Sequence, residues 1–184
     1  MLQTPGLTAI HDPAKAYQVH IEESLLVLPY VERYAGPIVD VGSGGGAPGI
    51  PLAAVLPERD VVLLEANRRK CAFLESVAQD FPNVRVIRGR AEDQELDAFG
   101  VAVARALAPP RVAVEWCLPL VAPGGAAILV VGPTADAAAV AAVARRVGGG
   151  HPELHPGALV VPKLKPTPPG FPRRPGVARK RPLA

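Results

Sequence analysis

The sequence predicts an α/β domain in which a mostly parallel sheet is covered by helices on both faces. Five short apolar runs of β type alternate with segments of helical periodicity, which is the pattern of successive strand–helix–strand units. The first run ends in a dense cluster of glycines that leads into a helical segment. The chain has 184 residues, 49% of them hydrophobic, and this is enough to bury one substantial core.

The elements are expected in regular alternation. The predicted strands are 38–41, 60–64, 84–88, 101–104 and 126–131, with a Pro123-Gly124-Gly125 turn before the fifth. The predicted helices are 50–56, 68–80, 110–120 and 136–147. Asp136 is expected to cap the last of these helices, and the glycines at 148–150 are expected to end it.

Val39–Gly49 is the most informative stretch, because it combines a strand end, a glycine turn and a helix start. Such a turn presents backbone N–H groups to a ligand, and glycine permits both positive φ and close approach. Gly42-x-Gly44-x-Gly46, followed by Ala47, suits S-adenosylmethionine, whereas Gly44-x-Gly46-x-x-Gly49 also matches the dinucleotide fingerprint. Asp40 is positioned to attract a cationic group. The glycines alone leave both cofactors open, as well as a structural turn without a ligand.

Two carboxylates and a later turn bear on this choice. Glu65 ends the second predicted strand, where it can accept hydrogen bonds from both hydroxyls of a ribose in either cofactor. Gly89-Arg90-Ala91-Glu92 follows the third strand, and methyltransferases commonly contact adenine there through an acidic residue. The Pro123-Gly124-Gly125 turn is also frequent in methyltransferases and has no role in the nicotinamide fingerprint. Together these features favour S-adenosylmethionine.

Positive charge is concentrated at the C-terminal end. Residues 1–153 carry 13 basic and 17 acidic side chains, a balance of −4, whereas residues 154–184 carry seven basic side chains and no acid. A segment of this kind is an electrostatic footprint for a polyanion. Its many prolines exclude a long helix and favour an extended path. We expect contact with RNA phosphates, and the alternative is a solvated basic end.

Several other classes of protein are disfavoured. No stretch approaches the roughly 20 apolar residues of a membrane span, and Met1–Pro5 lacks the features of a signal peptide. Cys71 and Cys117 fall in predicted helices without CxxC spacing, so we expect reduced core residues. The four histidines are scattered without a cysteine or carboxylate cluster, so no metal site is predicted. We expect a cytoplasmic monomer that associates with no membrane.

Six stretches, in the same order along the chain, carry a family resemblance: Leu7–Pro13, Asp40–Leu52, Gly89–Glu92, Ala104–Ala106, Glu115–Pro119 and Phe171–Gly176. In them the sequence resembles the bacterial small-subunit rRNA guanine-N7 methyltransferases, the glucose-inhibited division protein B group. The resemblance implies a Rossmann-like class I S-adenosylmethionine-dependent methyltransferase. Its product would be 7-methylguanosine in the decoding region of 16S rRNA, and its partner 16S rRNA or the small ribosomal subunit.

The resemblance also implies roles for basic residues. The family uses the arginine that matches Arg105 beside the cofactor, and a salt bridge from Arg105 to Asp40, Glu65 or Glu92 is the structural alternative. His20 matches a family histidine and is a candidate on the substrate side. Arg173 and Arg174 are candidates for RNA contact. No catalytic residue is assigned, because guanine N7 has a free lone pair and its methylation needs no general base.

We expect three parts: an N-terminal helical segment at 1–36, a methyltransferase core at 37–162 and a basic, proline-rich tail at 163–184. Compared with the family, the N-terminal segment is shortened, a lysine is missing before Gly132, and 148–162 is compressed. A catalytically impaired homologue that binds RNA or the ribosome is therefore the alternative function. A nicotinamide-dependent oxidoreductase is a third hypothesis, which lacks a Tyr–Lys or His–Asp proton donor.

Overall fold

The computed structural model describes residue 7 and residues 10–183. Residues 1–6, 8, 9 and 184, which belong to the predicted N-terminal segment, to the first family stretch and to the tail, lie outside the described residues. The strands are β1 (Ile38–Val41), β2 (Val61–Glu65), β3 (Val84–Arg88), β4 (Phe99–Arg105), β5 (Val121–Val130), β6 (Glu153–His155) and β7 (Ala158–Pro162).

These strands form one sheet in the order β3-β2-β1-β4-β5-β7-β6. Strands β1 to β5 pair in parallel, and β7 pairs antiparallel with both β5 and β6. The strand order reverses between β1 and β4, so a crevice is expected at the carboxyl ends of these two strands. The predicted, mostly parallel sheet is confirmed.

Helices cover both faces of the sheet, as predicted. They are α1 (Pro13–Tyr17), α2 (Glu23–Leu25), α3 (Leu28–Val31), α4 (Gly49–Val55), α5 (Arg68–Ala78), α6 (Pro110–Cys117), α7 (Ala137–Arg146) and α8 (Val177–Lys180), with a π-helical turn at Gln18–Glu22 between α1 and α2. One buried core contains residues of α4 and α5, and a second contains residues of α6 and α7. Because side chains alternate along a strand, Ile38 enters the first core and Val39 the second.

Two predicted boundaries are wrong. The Pro123-Gly124-Gly125 segment does not precede the fifth strand, because β5 begins at Val121 and pairs with Phe99 before the sheet register shifts. The backbone comes close here: a Cβ on Gly125 would lie 2.1 Å from the carbonyl oxygen of Gly100. The helix predicted to reach residue 120 ends at Cys117 and continues as a 3₁₀ turn over Leu118–Leu120.

The basic tail does not follow a simple extended path. Nζ of Lys163 is buried, 3.0 Å from Oδ1 of Asp97, and donates to the carbonyl of Leu118 over 2.7 Å. Further along, α8 packs against α6, and Leu183 is buried in the same core cluster as the residues of α6. The prolines do limit α8 to four residues. The tail is therefore packed onto the domain, which corrects the alternative of a wholly solvated basic end.

Candidate active site

The glycine loop leaves the carboxyl end of β1 and is fixed to the end of β2. The N–H groups of Gly42 and Ser43 donate to the carbonyl of Leu64 over 2.7 and 3.1 Å. Gly42, Gly44 and Gly46 have φ values of +74°, +56° and +94°, a conformation that favours glycine. A Cβ added to Gly44 would meet only the carbonyl oxygen of Gly42, at 3.7 Å. The backbone at Gly44 is thus open to a ligand.

Asp40 lies beneath this loop. Its side chain is buried, and Oδ2 accepts a hydrogen bond from the N–H of Gly49, the first residue of α4, over 3.0 Å. Burial raises the pKa of Asp40 to about 7, although the hydrogen bond from Gly49 opposes the shift. Asp40 does not line either of the cavities described below. The structure therefore gives Asp40 a part in shaping the loop, and its predicted role of attracting a cationic group stays a prediction.

Glu65 joins the loop to the end of β2. Its Oε2 accepts from the N–H of Gly44 over 3.0 Å, and its Oε1 accepts from the N–H of Asn67 over 2.7 Å. Asn67 caps α5 by accepting from the N–H groups of Arg69 and Lys70. These contacts fix the carboxylate of Glu65 at the edge of the first cavity, which is described next. Its remaining lone pairs are available there to hydroxyl donors.

A first cavity of about 360 Å³ opens at the carboxyl ends of the parallel strands. Residues at or just after the ends of four strands line it, together with residues of α5, α6 and the C-terminal α8. The lining residues are Val41, Gly42, Leu64–Ala66, Lys70, Gly89–Glu92, Ala106, Leu107, Trp116 and Arg179. The predicted positions Glu65, Ala91 and Glu92 therefore come together in one cavity, although they follow different strands.

A second cavity of about 190 Å³ adjoins the first and shares Gly42, Lys70 and Ala106 with it. Its other lining residues are Leu7, His20, Ser43–Gly45, Ala47 and Arg105. None of the described residues that line it is a carboxylate, whereas Lys70 and Arg105 both carry positive charge. Ala106 has a φ of +51°, which is uncommon for a residue with a side chain and is found most often at functional sites.

Arg105 connects the end of β4 to the N-terminal helical segment. Its Nη1 donates to the carbonyl of Val19, and its Nη2 lies 2.9 Å from Nδ1 of His20. Glu23 is its acidic neighbour, at 4.0 Å. The expected alternative, a salt bridge to Asp40, Glu65 or Glu92, is therefore wrong. Burial and the charge of Arg105 lower the pKa of His20, so its Nδ1 accepts the hydrogen bond as neutral imidazole.

The comparisons with known proteins decide the family. Residues 2–145 match the family model described as rRNA small subunit methyltransferase G. The chain belongs to this family. A relative from Moorella thermoacetica, named ribosomal RNA small subunit methyltransferase G, is 34% identical over 98% of this chain and 84% of its own length. A relative of the same name from Salinispora arenicola is 45% identical over 64% of this chain and 54% of its own. The family expected from the sequence is confirmed.

Solved structures show the same fold at low identity. A SAM-dependent O-methyltransferase from Thermotoga maritima matches with a TM-score of 0.62 at 15% identity, over 80% of this chain and 66% of that one. A protein from Agrobacterium tumefaciens described as a predicted O-methyltransferase matches with a TM-score of 0.60 at 17% identity, over 76% of this chain and 78% of that one. The Rossmann-like class I methyltransferase fold is thereby confirmed.

The family's Phe171–Gly176 stretch contacts both the core, through Phe171, and a carboxylate of the first cavity, through the N–H of Gly176. Nε and Nη2 of Arg173 donate to the two carboxylate oxygens of the buried Glu115 over 2.5 and 2.6 Å. Arg174 is exposed. Of the two arginines expected to contact RNA, Arg173 is thus occupied by an ion pair inside the protein, and Arg174 faces solvent.

The lining residues of the first cavity that the sequence did not predict as site residues include Leu107, Trp116 and Arg179. Trp116 does pack against the core, but it also lines the cavity. Lys70, which lines both cavities, was not predicted as a site residue either, and its position depends on the rotation of α5 relative to the sheet. That rotation is set by which face of α5 is apolar, a signal that was present in the sequence.

Other chemistry has no matching arrangement in the described part of the chain. Cys71 and Cys117 are buried, outside both cavities, and burial raises the pKa of each thiol. Across residues 7 and 10–183, we find no group of His, Cys, Asp and Glu side chains suited to a metal ion. Within the same residues, no helix has the length and apolar character to cross a membrane.

Proposed function

We propose that this chain transfers a methyl group from S-adenosylmethionine to N7 of a guanosine in the decoding region of 16S rRNA. One observation carries the proposal: a cavity containing Glu65 and Glu92 adjoins a basic cavity at the glycine loop. The first suits the adenine nucleoside of the cofactor, and the second, which the glycine loop lines, suits the methionine end of the cofactor together with the reacting nucleotide. The relatives' name, ribosomal RNA small subunit methyltransferase G, supports this assignment.

The residues of the first cavity fit the cofactor. Glu65 is held at the cavity edge by Gly44 and Asn67 and would accept hydrogen bonds from the ribose hydroxyls. Ala91 and Glu92 would contact the adenine. Gly42, Gly44 and Ala47 line the second cavity and would approach the methionine part, whereas Gly46 lines neither cavity and would contribute through the turn of the loop. When bound, S-adenosylmethionine supplies an electrophilic methyl group on a sulfonium.

The second cavity suits the target nucleotide. Lys70 and Arg105 would attract RNA phosphate, and His20 is held neutral beside them. Guanine N7 is a nucleophile without a proton, so the protein needs only to orient the base in line with the methyl group. This requirement agrees with cavities that hold neither thiol of the chain.

We also propose how the rest of the chain contributes. Residues 37–162 would be the methyltransferase core, 1–36 would hold substrate beside His20, and the 163–184 tail would offer Arg174, Lys180 and Arg181 to RNA. We propose that the protein acts as a monomer in the cytoplasm on 16S rRNA or the small ribosomal subunit.

The test uses small subunits from cells that lack this gene. Incubation of the purified chain with methyl-labelled S-adenosylmethionine should place one 7-methylguanosine in the decoding region, mapped by chemical cleavage at that base. Arg105→Ala should abolish the product, and Arg111→Ala, at an exposed position outside both cavities, should retain it.

The other outcomes separate the alternatives. Binding of S-adenosylhomocysteine and of subunits without methyl transfer would establish a catalytically impaired RNA-binding homologue. A methyl group at another base would overturn the target. Binding of NAD in place of S-adenosylhomocysteine would overturn the cofactor.

A further inference from the structure

The C-terminal residues 171–183 reach the first cavity through Arg179. Arg179 lines the first cavity together with Glu92 and Trp116 and is absent from the lining of the second. It belongs to α8, which packs against α6, the helix that carries Trp116. The tail therefore contributes a guanidinium to a cavity that is otherwise built from the sheet and its adjoining helices.

An ion pair fixes where this segment lies. Arg173 donates two hydrogen bonds to Glu115, which is 2% exposed and directly precedes Trp116. Its Nη1 also donates to the carbonyl of Arg181 over 2.9 Å, so one side chain holds both α6 and the residue after α8. A bidentate pair of this kind fixes orientation as well as distance. Arg179, between the two anchored ends, is thereby held at the cavity.

A second contact joins the segment to a carboxylate of the cavity. The N–H of Gly176 donates to Oε1 of Glu92 over 3.1 Å. Gly176 has a φ of +80° and directly precedes α8, so this N–H lies at the turn that starts the helix. Glu92 is thus oriented from the tail, although it lies in the 3₁₀ turn after β3.

We propose that residues 171–183 are a built part of the cofactor site, in which Arg179 packs its planar guanidinium against the adenine and Gly176 orients Glu92. An adenine ring suits this position because a guanidinium stacks on flat aromatic groups. The position also excludes a role at the methionine end, because Arg179 does not line the second cavity. This inference rests on the proposed function.

Calorimetry on the full chain tests the contact. Arg179→Ala should weaken binding of S-adenosylhomocysteine about fivefold, as expected for loss of a cation on an aromatic ring at an exposed site. Binding of 5′-methylthioadenosine, which lacks the amino-acid part, should weaken by the same factor. Arg146→Ala is the control, because Arg146 is exposed at the end of α7 and lines neither cavity. Dissociation constants that are the same for Arg179→Ala and wild type would overturn the proposal.

Limited proteolysis tests the same inference without a variant. Trypsin should cleave after Arg179 and Lys180, and saturating S-adenosylhomocysteine should slow both cleavages. Cleavage after Arg145 and Arg146, which are exposed at the end of α7 and outside the cavity, serves as the internal control and should keep its rate. Unchanged cleavage after Arg179 would overturn the proposal.

Failure of this inference differs from failure of the proposed function. Wild-type chain that does not bind S-adenosylhomocysteine would overturn both. Wild-type chain that binds it with the same affinity as Arg179→Ala, and without protection of the tail, would overturn the inference alone.

Discussion

Nη2 of Arg105 lies 2.9 Å from Nδ1 of His20, and this contact joins the end of β4 to the π-helical turn of the N-terminal segment. The same guanidinium donates to the carbonyl of Val19. A π-helical turn contains one residue more than an α-helical turn. Val19 and His20, which contact Arg105, both lie in this turn. Arg105 therefore acts as a tie between two walls of the second cavity as well as a charge within it.

Arg105→Lys should test this double role. An ammonium keeps the charge but lacks the planar fork that reaches Val19 and His20 together. We expect methyl transfer to fall at least about tenfold, which corresponds to the loss of one hydrogen bond from a charged group. The measurement is transfer of labelled methyl to small subunits, with Arg111→Lys as the exposed control. Equal rates for wild type and Arg105→Lys would show that charge alone is required.

A comparison of Gly44→Ala with Gly124→Ala should distinguish the cost of backbone strain from the loss of ligand binding by obstruction. Gly44 and Gly124 both have positive φ, +56° and +91°, and an added Cβ meets little at the first and nothing within 4 Å at the second. Each alanine should cost about 1–2 kcal/mol of folding free energy from backbone strain. Only Gly44 lines the second cavity, so only Gly44→Ala should also weaken binding of S-adenosylhomocysteine. Calorimetry and thermal unfolding of both variants provide the comparison, and equal affinities would exclude close approach at Gly44.

Arg173→Ala should destabilise the fold strongly. Removing this side chain leaves the carboxylate of Glu115 buried without its partner, at a cost of about 3–5 kcal/mol. Arg174→Ala removes a neighbouring, exposed charge and should change the free energy of unfolding by less than about 0.5 kcal/mol. Denaturant unfolding measures both. Similar midpoints for the two variants would contradict the role assigned to the ion pair.

The pH dependence of stability should carry a contribution from Asp40. Burial raises its pKa from 3.8 to about 7, so the folded state holds the proton more tightly than the unfolded chain. The resulting stabilisation is fully present below about pH 4 and is lost as the pH rises to about 7. Asp40→Asn removes this titration while keeping an oxygen that can accept from Gly49. The variant should therefore gain stability relative to wild type as the pH rises from about 4 to about 7, and parallel curves over this range would contradict the assignment.

RNA binding should depend on the exposed bases of the tail. Replacement of Arg174, Lys180 and Arg181 by Ser removes three charges, and the salt slope for rRNA binding should fall by about two to three if each contacts a phosphate. Replacement of Arg145 and Arg146, exposed on α7, is the control. Equal slopes for the tail variant and wild type would direct the search for the RNA surface to His20, Lys70 and Arg105.

Much of the fold was accessible from the sequence because its signals are local. The predicted strands of four or five residues became β1 to β4, and the glycines of the loop adopt the positive φ for which they are suited. The pairings across the site were not accessible, because their partners lie far apart along the chain: Arg105 and His20 are 85 residues apart, and Arg173 and Glu115 are 58 apart.

Charge counting failed in the tail for a related reason. The sum of seven bases treats every side chain as free, whereas Lys163 and Arg173 are held by Asp97 and Glu115. Both acids precede residue 154, so the positive tail and the negative remainder are partly complementary. Only the exposed bases remain available to a polyanion.

The position of Arg173 has a genetic consequence. A frameshift or stop codon that removed only residues 171–184 would keep every residue of the glycine loop, yet it would strand Glu115 in the core and expose the surface that Leu183 covers. Such alleles should abolish function through loss of folded protein. A genetic selection for loss of function should therefore yield them as readily as alleles in the glycine loop. An affinity tag fused after residue 184 would follow closely on Leu183, which is buried in the core, so recombinant protein for cofactor measurements should carry its tag elsewhere.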